Sequence, residues 1–462
     1  MAIGHEARGR ERVIGRNRPG TERWRHPTQV VVAGFASAIA VGTVLLSLPL
    51  ATESGQRTEL VDALFTATSA VCVTGLVTVD TGSHWSAFGE VVILGLIQVG
   101  GLGIMTLAAL LTVLVARRLG LRRRMLAQAE TKTPGLTGIG GLVRNIVVFS
   151  LVSEAAVAVV LTIRFATGYA RPWGEAVYHG VFHAISAFNN AGFSVHRNSL
   201  MDYVTDPWVS LTIAAAVIVG GLGFPVVFEL LRSWRRPSRW SVLTRITVVL
   251  TVALLVVGTV LTILLERTNP ATLGPLSGPG KLLAGFFHST MTRTAGFNSI
   301  DIAALRPESL FTTDLLMFIG GGSGGTAGGI KVTTFGLLAF VIWSEMRGHT
   351  QVNVGHRQVP ETNQRQALAV ALLGIGAVAL SVLLMLAMTR HTLELVLFEV
   401  VSAFGTVGLS AGITADLPPA AKVLLSALMF LGRVGPLTLA SALALRQRTR
   451  RFELPEERTI VG

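Results

Sequence analysis

Four glycines, each preceded at fixed distances by a hydroxyl and a phenylalanine, carry the chemistry this sequence is equipped for. Phe65, Ser69 and Gly75, then Phe182, Ser186 and Gly192, then Phe286, Thr290 and Gly296, and finally Phe398, Ser402 and Gly408 all follow one pattern: Phe, three residues, Ser or Thr, five residues, Gly. The glycines are 117, 104 and 112 residues apart, spacings that each fit one helix–loop–helix unit. A single match carries little weight in an apolar chain, because small residues at such spacing also occur where helices pack closely. Four matches at a common period indicate an internal repeat. The reactive group such loops offer is the main-chain carbonyl. Rings of carbonyl oxygens replace the hydration shell of an ion, and glycine supplies backbone angles that a residue with a Cβ holds only at a cost. Half-helices pointing their C-termini at a shared axis add partial negative charge. The expected ligand is a monovalent cation held by backbone oxygens, with no ring of acidic side chains required.

The elements that must position these loops follow from hydropathy. Eight apolar stretches, 28–50, 86–116, 142–167, 208–232, 241–266, 311–346, 366–388 and 418–446, have the length a bilayer requires. Between them, in alternate gaps, lie shorter apolar segments at 59–79, 177–194, 280–299 and 394–413, too short to cross and suited to re-entrant half-helices. Irregular backbone at that depth is tolerated only where protein buries it or it lines a wet cavity. The predicted fold class is an all-α integral membrane protein with four span–pore-loop–span repeats around a pseudo-fourfold axis, comprising eight transmembrane helices and four re-entrant half-helices. Repeat A covers 28–116 with its loop at 72–76, repeat B 142–232 with 189–193, repeat C 241–346 with 293–297, and repeat D 366–446 with 405–409. A basic arm (1–27) and a tail (447–462) flank them.

Composition agrees. The chain of 462 residues is 50% hydrophobic and 14% charged, with mean hydropathy +0.59, which places it in the membrane class. Its formal net charge of +13 is not a nucleic-acid footprint, because the arginines sit in short runs between apolar stretches and no soluble basic domain is present. Arg117, Arg118, Arg122, Arg123 and Arg124, then Arg232, Arg235, Arg236 and Arg239, then Arg347, Arg357 and Arg365 occupy alternate connections. Together with the basic arm and Arg446, Arg448, Arg450 and Arg451 of the tail, they predict that both termini are cytoplasmic. Residues 1–27 contain seven arginines and no apolar core, unlike a cleaved signal peptide. Cys72 is the single cysteine, so no internal disulfide forms.

The sixth span contains Gly320, Gly321, Gly322, Ser323, Gly324, Gly325, Thr326, Ala327, Gly328 and Gly329. Each glycine costs a helix about 1 kcal/mol relative to alanine, so the span is expected to break here and form a flexible gate beneath the loops; a plain hinge or packing patch is the alternative. Gly320, Gly322 and Gly325 fit a dinucleotide fingerprint only formally, since no strand precedes them, and Lys331 is misplaced for a phosphate loop. Arg433, in the middle of span eight, is costly in a bilayer and is expected to face the bundle interior, touching the glycine-rich segment or a carboxylate. Asp62, Asp80, Asp301 and Asp416 lie at outer loop ends, Arg293 sits beside the third motif glycine, and Pro225 and Pro436 are expected to kink their spans. His183 and His288 read as satisfied buried histidines, while Glu154 and Glu229, inside spans, suit an arginine partner or a coupling ion.

The segments 68–76 (TSAVCVTGL), 188–193 (FNNAGF), 292–298 (TRTAGFN) and 404–409 (FGTVGL) resemble the four filter loops of the Ktr/Trk/HKT superfamily of potassium transporters. Eight spans without an additional N-terminal pair make the chain similar to the KtrB type. The resemblance implies that Val73, Thr74 and Gly75, Asn190, Ala191 and Gly192, Thr294, Ala295 and Gly296, and Thr406, Val407 and Gly408 contact the ion. It implies potassium as the transported ion, since all four loops keep glycine, and leaves sodium open as an activator. It also implies a gating role for the 320–329 segment and Arg433, a homodimer, and a separate cytosolic nucleotide-binding ring as partner. An ion-coupled secondary transporter with alternating access is the competing reading, although four parallel repeats do not match its usual inverted pairs. An intramembrane enzyme requires clustered nucleophiles, bases or metal ligands, and the spans show no such cluster in sequence, so no enzymatic activity is expected.

Overall fold

The computed structural model describes residues 27–124, 137–349, 351–354 and 357–445; the basic arm before Pro27 and the tail from 446 lie outside it. The chain is mostly helical, with α1 (Pro27–Leu46), α2 (Leu60–Val71), a single turn α3 (Thr81–His84) and α4 (Ala87–Arg124) first. There follow α5 (Thr137–Gly168), α6 (Trp173–Phe188), α7 (Pro207–Leu222), α8 (Phe224–Ser233), α9 (Val242–Glu266) and α10 (Gly278–Met291). The last part holds α11 (Pro307–Phe318), α12 (Val332–Met346), a minimal antiparallel pair of strands β1 (Asn353–Val354) and β2 (Arg357–Gln358), then α13 (Glu361–Met388), α14 (Leu393–Gly405) and α15 (Pro419–Leu445).

Burial is inverted relative to a water-soluble bundle. Val249, Val252, Val256, Val260 and Leu264 of α9, and Leu372, Leu373, Ile375, Leu380 and Leu383 of α13, are exposed, while Thr66, Ser69, Asn189, Asn190, Thr294, Glu399 and Arg433 are buried. Apolar faces this large are stable only against lipid or a partner. Among the described residues, Ala87–Ala109, Gly140–Gly168, Val242–Glu266 and Glu361–Met388 each have the length and apolarity to cross a membrane. The bent pair α7 and α8 makes a fifth candidate.

Three predicted spans depart from the expected helices. The first helix, α1, ends at Leu46 rather than running to residue 50. The 311–346 stretch is two helices, α11 and α12, separated by residues 319–331, because seven glycines there forfeit too much helix propensity. The 208–232 stretch breaks rather than kinks. Gly223, with φ of 89°, adopts a left-handed backbone that turns α8 by 102° from α7, and Pro225 is tolerated because it falls in the first turn of α8. The break has a partner: a Cβ at Gly223 would stand 2.9 Å from the Gly325 nitrogen, so the glycine-rich stretch occupies the space the break opens. Pro436 lies within α15, which continues as helix on both sides of it.

Candidate functional site: a ring of four loops over a glycine-rich segment

The short helices α2, α6, α10 and α14 carry the motif, and each ends just before its glycine. The motif phenylalanines Phe65, Phe182 and Phe398 are fully buried and anchor three of these helices in the core. The hydroxyls close the turn that follows. Ser69 Oγ accepts from the Gly75 N–H at 3.0 Å and Ser402 Oγ from the Gly408 N–H at 3.1 Å; Ser186 Oγ donates to the Phe193 carbonyl at 2.8 Å. The third copy differs, since Thr290 Oγ1 donates back to Phe286 O within its own helix. The loop backbones match more closely than the residues do. Two positions before each glycine the chain is left-handed, at Val73 (φ 56°), Asn190 (60°), Thr294 (74°) and Thr406 (50°), and the glycines themselves have φ of 94°, 72°, 68° and 93°. Side chains rarely accept such angles, so a strained residue two places before a left-handed glycine in every loop marks a backbone whose direction is set by something other than local preference.

The four loops close on one another. A Cβ built on Gly75 would lie 3.1 Å from the Gly192 Cα; on Gly192, 2.9 Å from the Gly296 Cα; on Gly296, 3.1 Å from the Gly408 Cα; and on Gly408, 3.0 Å from the Gly75 Cα. In each case the nearest atom is the carbonyl oxygen of the residue before the neighbouring glycine, namely Ala191, Ala295, Val407 and Thr74 in turn. The contacts therefore run round a closed ring, and any side chain at these positions collides with backbone that has nowhere to retreat. Within the ring loops, the Thr74, Thr294 and Thr406 hydroxyls are buried with no hydrogen-bond partner among the described residues. Above the ring opens a cavity of ≈ 300 Å³, walled by all four glycines and by Asp80, His196, Asp301 and Ser410. Of the four outer aspartates, Asp80 and Asp301 line it. Asp62 does not, being paired with Lys422 at 2.8 Å, and Asp416 is not among the lining residues.

Beneath the ring, residues 320–329 form an irregular loop pinned from several directions. Thr326 Oγ1 donates to Asn190 Oδ1 at 2.7 Å, and the Thr326 N–H donates to Gly220 O at 3.1 Å. The Gly322 N–H donates to Gly221 O at 2.7 Å. Ser323 and Thr333 share a hydroxyl bond at 2.9 Å, Gly320 N–H reaches Ile330 O at 2.8 Å, and the backbone at Gly329 packs on Gly405. Gly320, Gly321, Gly322, Gly325 and Gly328 have no room for a side chain, Gly328 facing the Thr406 hydroxyl. Buried Arg433 donates Nη1 to Thr326 O and Nη2 to Gly100 O, the latter at 3.5 Å. It meets main-chain carbonyls of the glycine-rich segment and of α4; no carboxylate is among its hydrogen-bond partners in the described residues. Arg293 acts similarly from the other side, donating to Thr251 O at 3.2 Å and Gly320 O at 3.4 Å, and Lys331 donates to Ala327 O.

Among the described residues, neither spanning glutamate has an arginine partner. Glu154 accepts from Gln98 Nε2 at 3.1 Å and Asn189 Nδ2 at 3.0 Å, immediately behind the second loop. Glu229 accepts from the Ser241 N–H and from the Ser241 and Thr244 hydroxyls, satisfying the start of α9. His288 meets Thr313 Oγ1 at 3.1 Å, and His183 meets His179 O at 2.8 Å and Ser194 Oγ at 2.9 Å. Two groups escaped the sequence reading. Glu399, one residue after the last motif phenylalanine, is fully buried and holds Ala411 N–H and the Ser410 and Thr414 hydroxyls. A second glycine set, Gly100, Gly220 and Gly432, lies against the last carbonyls of α2, α6 and the end of α14, at Val71, Phe188 and Phe404. The signal was present as Gly-Gly-Leu-Gly at 100–103 and 220–223, with Gly-Arg-Val-Gly at 432–435 in the corresponding place.

Apolar membrane-length helices around a buried ring of backbone define a multi-pass helical membrane protein. Comparison with known proteins specifies which kind. The family described as "TrkH: Cation transport protein" matches residues 16–450. The Ktr system potassium uptake protein B of Vibrio alginolyticus is 41% identical over 94% of this chain and 94% of its own length, and its namesake from Bacillus subtilis (strain 168) is 40% identical over 92% and 94%. A potassium/sodium uptake protein of Enterococcus hirae, NtpJ, is 35% identical over 94% of this chain and 97% of its own. Among solved structures, the potassium transporter TrkH from Vibrio parahaemolyticus superposes with a TM-score of 0.69 over 92% of this chain and 86% of that one, at 21% identity, a likeness of fold. The chain belongs to the TrkH family of cation transport proteins.

Proposed function

We propose that this chain is the membrane subunit of a gated potassium-uptake system, in which K+ passes through a filter made of four loops arranged as span–loop–span repeats about a pseudo-fourfold axis. The observation that carries this reading is the closed ring of Gly75, Gly192, Gly296 and Gly408, each backed by its neighbour's carbonyl. Carbonyls and the unpartnered hydroxyls of Thr74, Thr294 and Thr406 supply oxygens in place of water. An unsatisfied buried hydroxyl otherwise costs about 1–3 kcal/mol, which a passing cation offsets. In this reading Val73, Thr74, Asn190, Ala191, Thr294, Ala295, Thr406 and Val407 are the ion-facing positions beside the glycines.

The segment 320–329 is the gate, held under the ring by Arg433 and Arg293 through its carbonyls. It has few side chains to order, so it can change shape at low steric cost once those bonds are released. The protein sits in the cell membrane with both termini cytoplasmic and works as a homodimer on a cytosolic nucleotide-binding ring; the relatives named as Ktr system components support an assembly of more than one chain. Sodium is a candidate activator. Growth of a potassium-uptake-deficient bacterium on low potassium tests the reading: expression with a cognate cytosolic subunit restores growth, whereas no rescue by a protein shown to reach the membrane overturns it.

A further inference from the structure

Beside the second loop, three histidines come together that take no part in the ring itself. His179 and His183 are one helical turn apart on α6 and so share a face, and His196 returns to them four residues after Gly192. The His196 ring stacks against both, with centroids 4.7 Å from His179 and 4.7 Å from His183. One ring nitrogen from each lies within 4.8 Å of the others. His183 is set up as metal-ligating imidazoles usually are. Its Nδ1 is held by the His179 carbonyl at 2.8 Å, which leaves Nε2, whose present partner is Ser194 Oγ, as the nitrogen able to ligate. His196 is 8% exposed, yet its Nε2 has no hydrogen-bond partner among the described residues, and neither has His179 Nδ1. Buried ring nitrogens left without partners are costly, and two of them in one cluster point to a ligand that takes lone pairs.

We propose that His179, His183 and His196 form a site for a divalent transition metal of the zinc, nickel or copper class. Neutral imidazoles suit these ions and not the alkali or alkaline-earth cations, which prefer oxygen. A tetrahedral zinc site brings its nitrogens to about 3.3 Å apart, so the near-parallel rings, whose planes lie 11–18° from one another, turn as well as close inward on binding, and water completes the fourth position. The group that opposes the ion is Arg171, whose Nη1 stands 3.3 Å from His179 Nε2 and which also pairs with Glu175. The metal displaces this guanidinium toward Glu175, so Arg171 sets the affinity.

The site has a consequence for transport that rests on the pore reading. His196 lines the cavity above the ring, and Ser194, two residues beyond Gly192, lines it too. An ion at the triad takes His183 away from Ser194 and adds two positive charges to the wall that potassium must pass. External zinc therefore inhibits uptake.

Two measurements separate the site from its consequence. The first is zinc binding to the purified full-length protein in detergent, by titration calorimetry. The parent binds one ion per chain; His196→Gln and His179→Gln each weaken it by about tenfold or more, and Arg171→Gln tightens it. No binding by the parent, or equal binding by the histidine variants when they elute as the parent does on size exclusion, overturns the site. The second is rubidium uptake into proteoliposomes with and without external zinc. Inhibition of the parent and its loss in His196→Gln support the consequence; full uptake by a zinc-loaded parent overturns it. The zinc-free uptake rate judges the pore reading on its own.

Discussion

Thr326, in the middle of the glycine-rich segment, donates its hydroxyl to the Asn190 side-chain oxygen at 2.7 Å, and Asn190 is the left-handed residue two places before Gly192 in the ring. One hydrogen bond thus ties the part read as gate to the part read as filter, across 136 residues of sequence. The Thr326 carbonyl on the same residue is taken by Arg433, so a movement of the arginine is passed to the loop through a single residue.

Thr326→Val removes the hydroxyl while keeping the shape. A neutral hydrogen bond contributes about 0.5–1.5 kcal/mol, so the closed-to-open ratio should fall about two- to tenfold. Basal rubidium uptake without the cytosolic partner is the readout, and it should rise.

Arg433→Gln acts on the other side of Thr326. The loss of a buried charged donor is worth more, about 1.5–3 kcal/mol for bonds to charged groups, and leaves the Thr326 and Gly100 carbonyls short of a partner. Leak should exceed that of Thr326→Val, and the double variant should leak no more than Arg433→Gln alone, because both act through one residue. Unchanged flux and regulation in Arg433→Gln would remove its gating role.

Glu154 supports the second loop from behind through Asn189 and has no cationic partner among the described residues. Glu154→Gln keeps an acceptor for Asn189 and should keep potassium selectivity, whereas Glu154→Ala should lower the potassium-over-sodium ratio in competitive uptake. Equal selectivity in both variants would show that the loop stands without this buttress.

Outside the spans, Asp206 caps α7, accepting from the Trp208 N–H at 2.9 Å, and also receives Arg164 at 2.7 Å and the Tyr169 hydroxyl at 2.8 Å. Burial by itself would raise its carboxyl, but these bonds hold it below the ordinary carboxylate value. A depressed carboxyl contributes stability above its unfolded pKa, about 4, and loses it as pH falls through the lower folded value. Thermal unfolding in detergent should therefore show Asp206→Asn less stable than the parent at neutral pH, with the difference shrinking in acid.

The four-loop pattern was legible because each motif position answers a separate demand. Phe65, Phe182 and Phe398 must be buried, Ser69 and Ser402 must close a turn onto the glycine N–H, and the glycines must touch their neighbours' backbone. The break at 320–329 was legible from helix propensity alone. The bend at Gly223 was not, because its cause is the packing of Gly324 and Gly325 against it from a distant stretch. Gly100, Gly220 and Gly432 were missed because glycines are common in membrane helices, and only the position of the α2, α6 and α14 carbonyls gives them a reason. Partners such as Asn190 with Thr326, or Glu399 with Ser410, are contacts between loops that no local periodicity encodes.

The most direct test of the central claim is competitive uptake of potassium and sodium into proteoliposomes holding the purified parent or Gly75→Ser. Placing a Cβ at residue 75 drives it into the Ala191 carbonyl of the next loop, and a ring distorted at that contact no longer holds its carbonyl oxygens where they replace the water of the larger potassium ion. The parent should favour potassium, and the variant should lose about tenfold or more of that preference, a change of ~1.4 kcal/mol, while still transporting sodium. A variant that discriminates as well as the parent would mean that the ions do not pass through this ring.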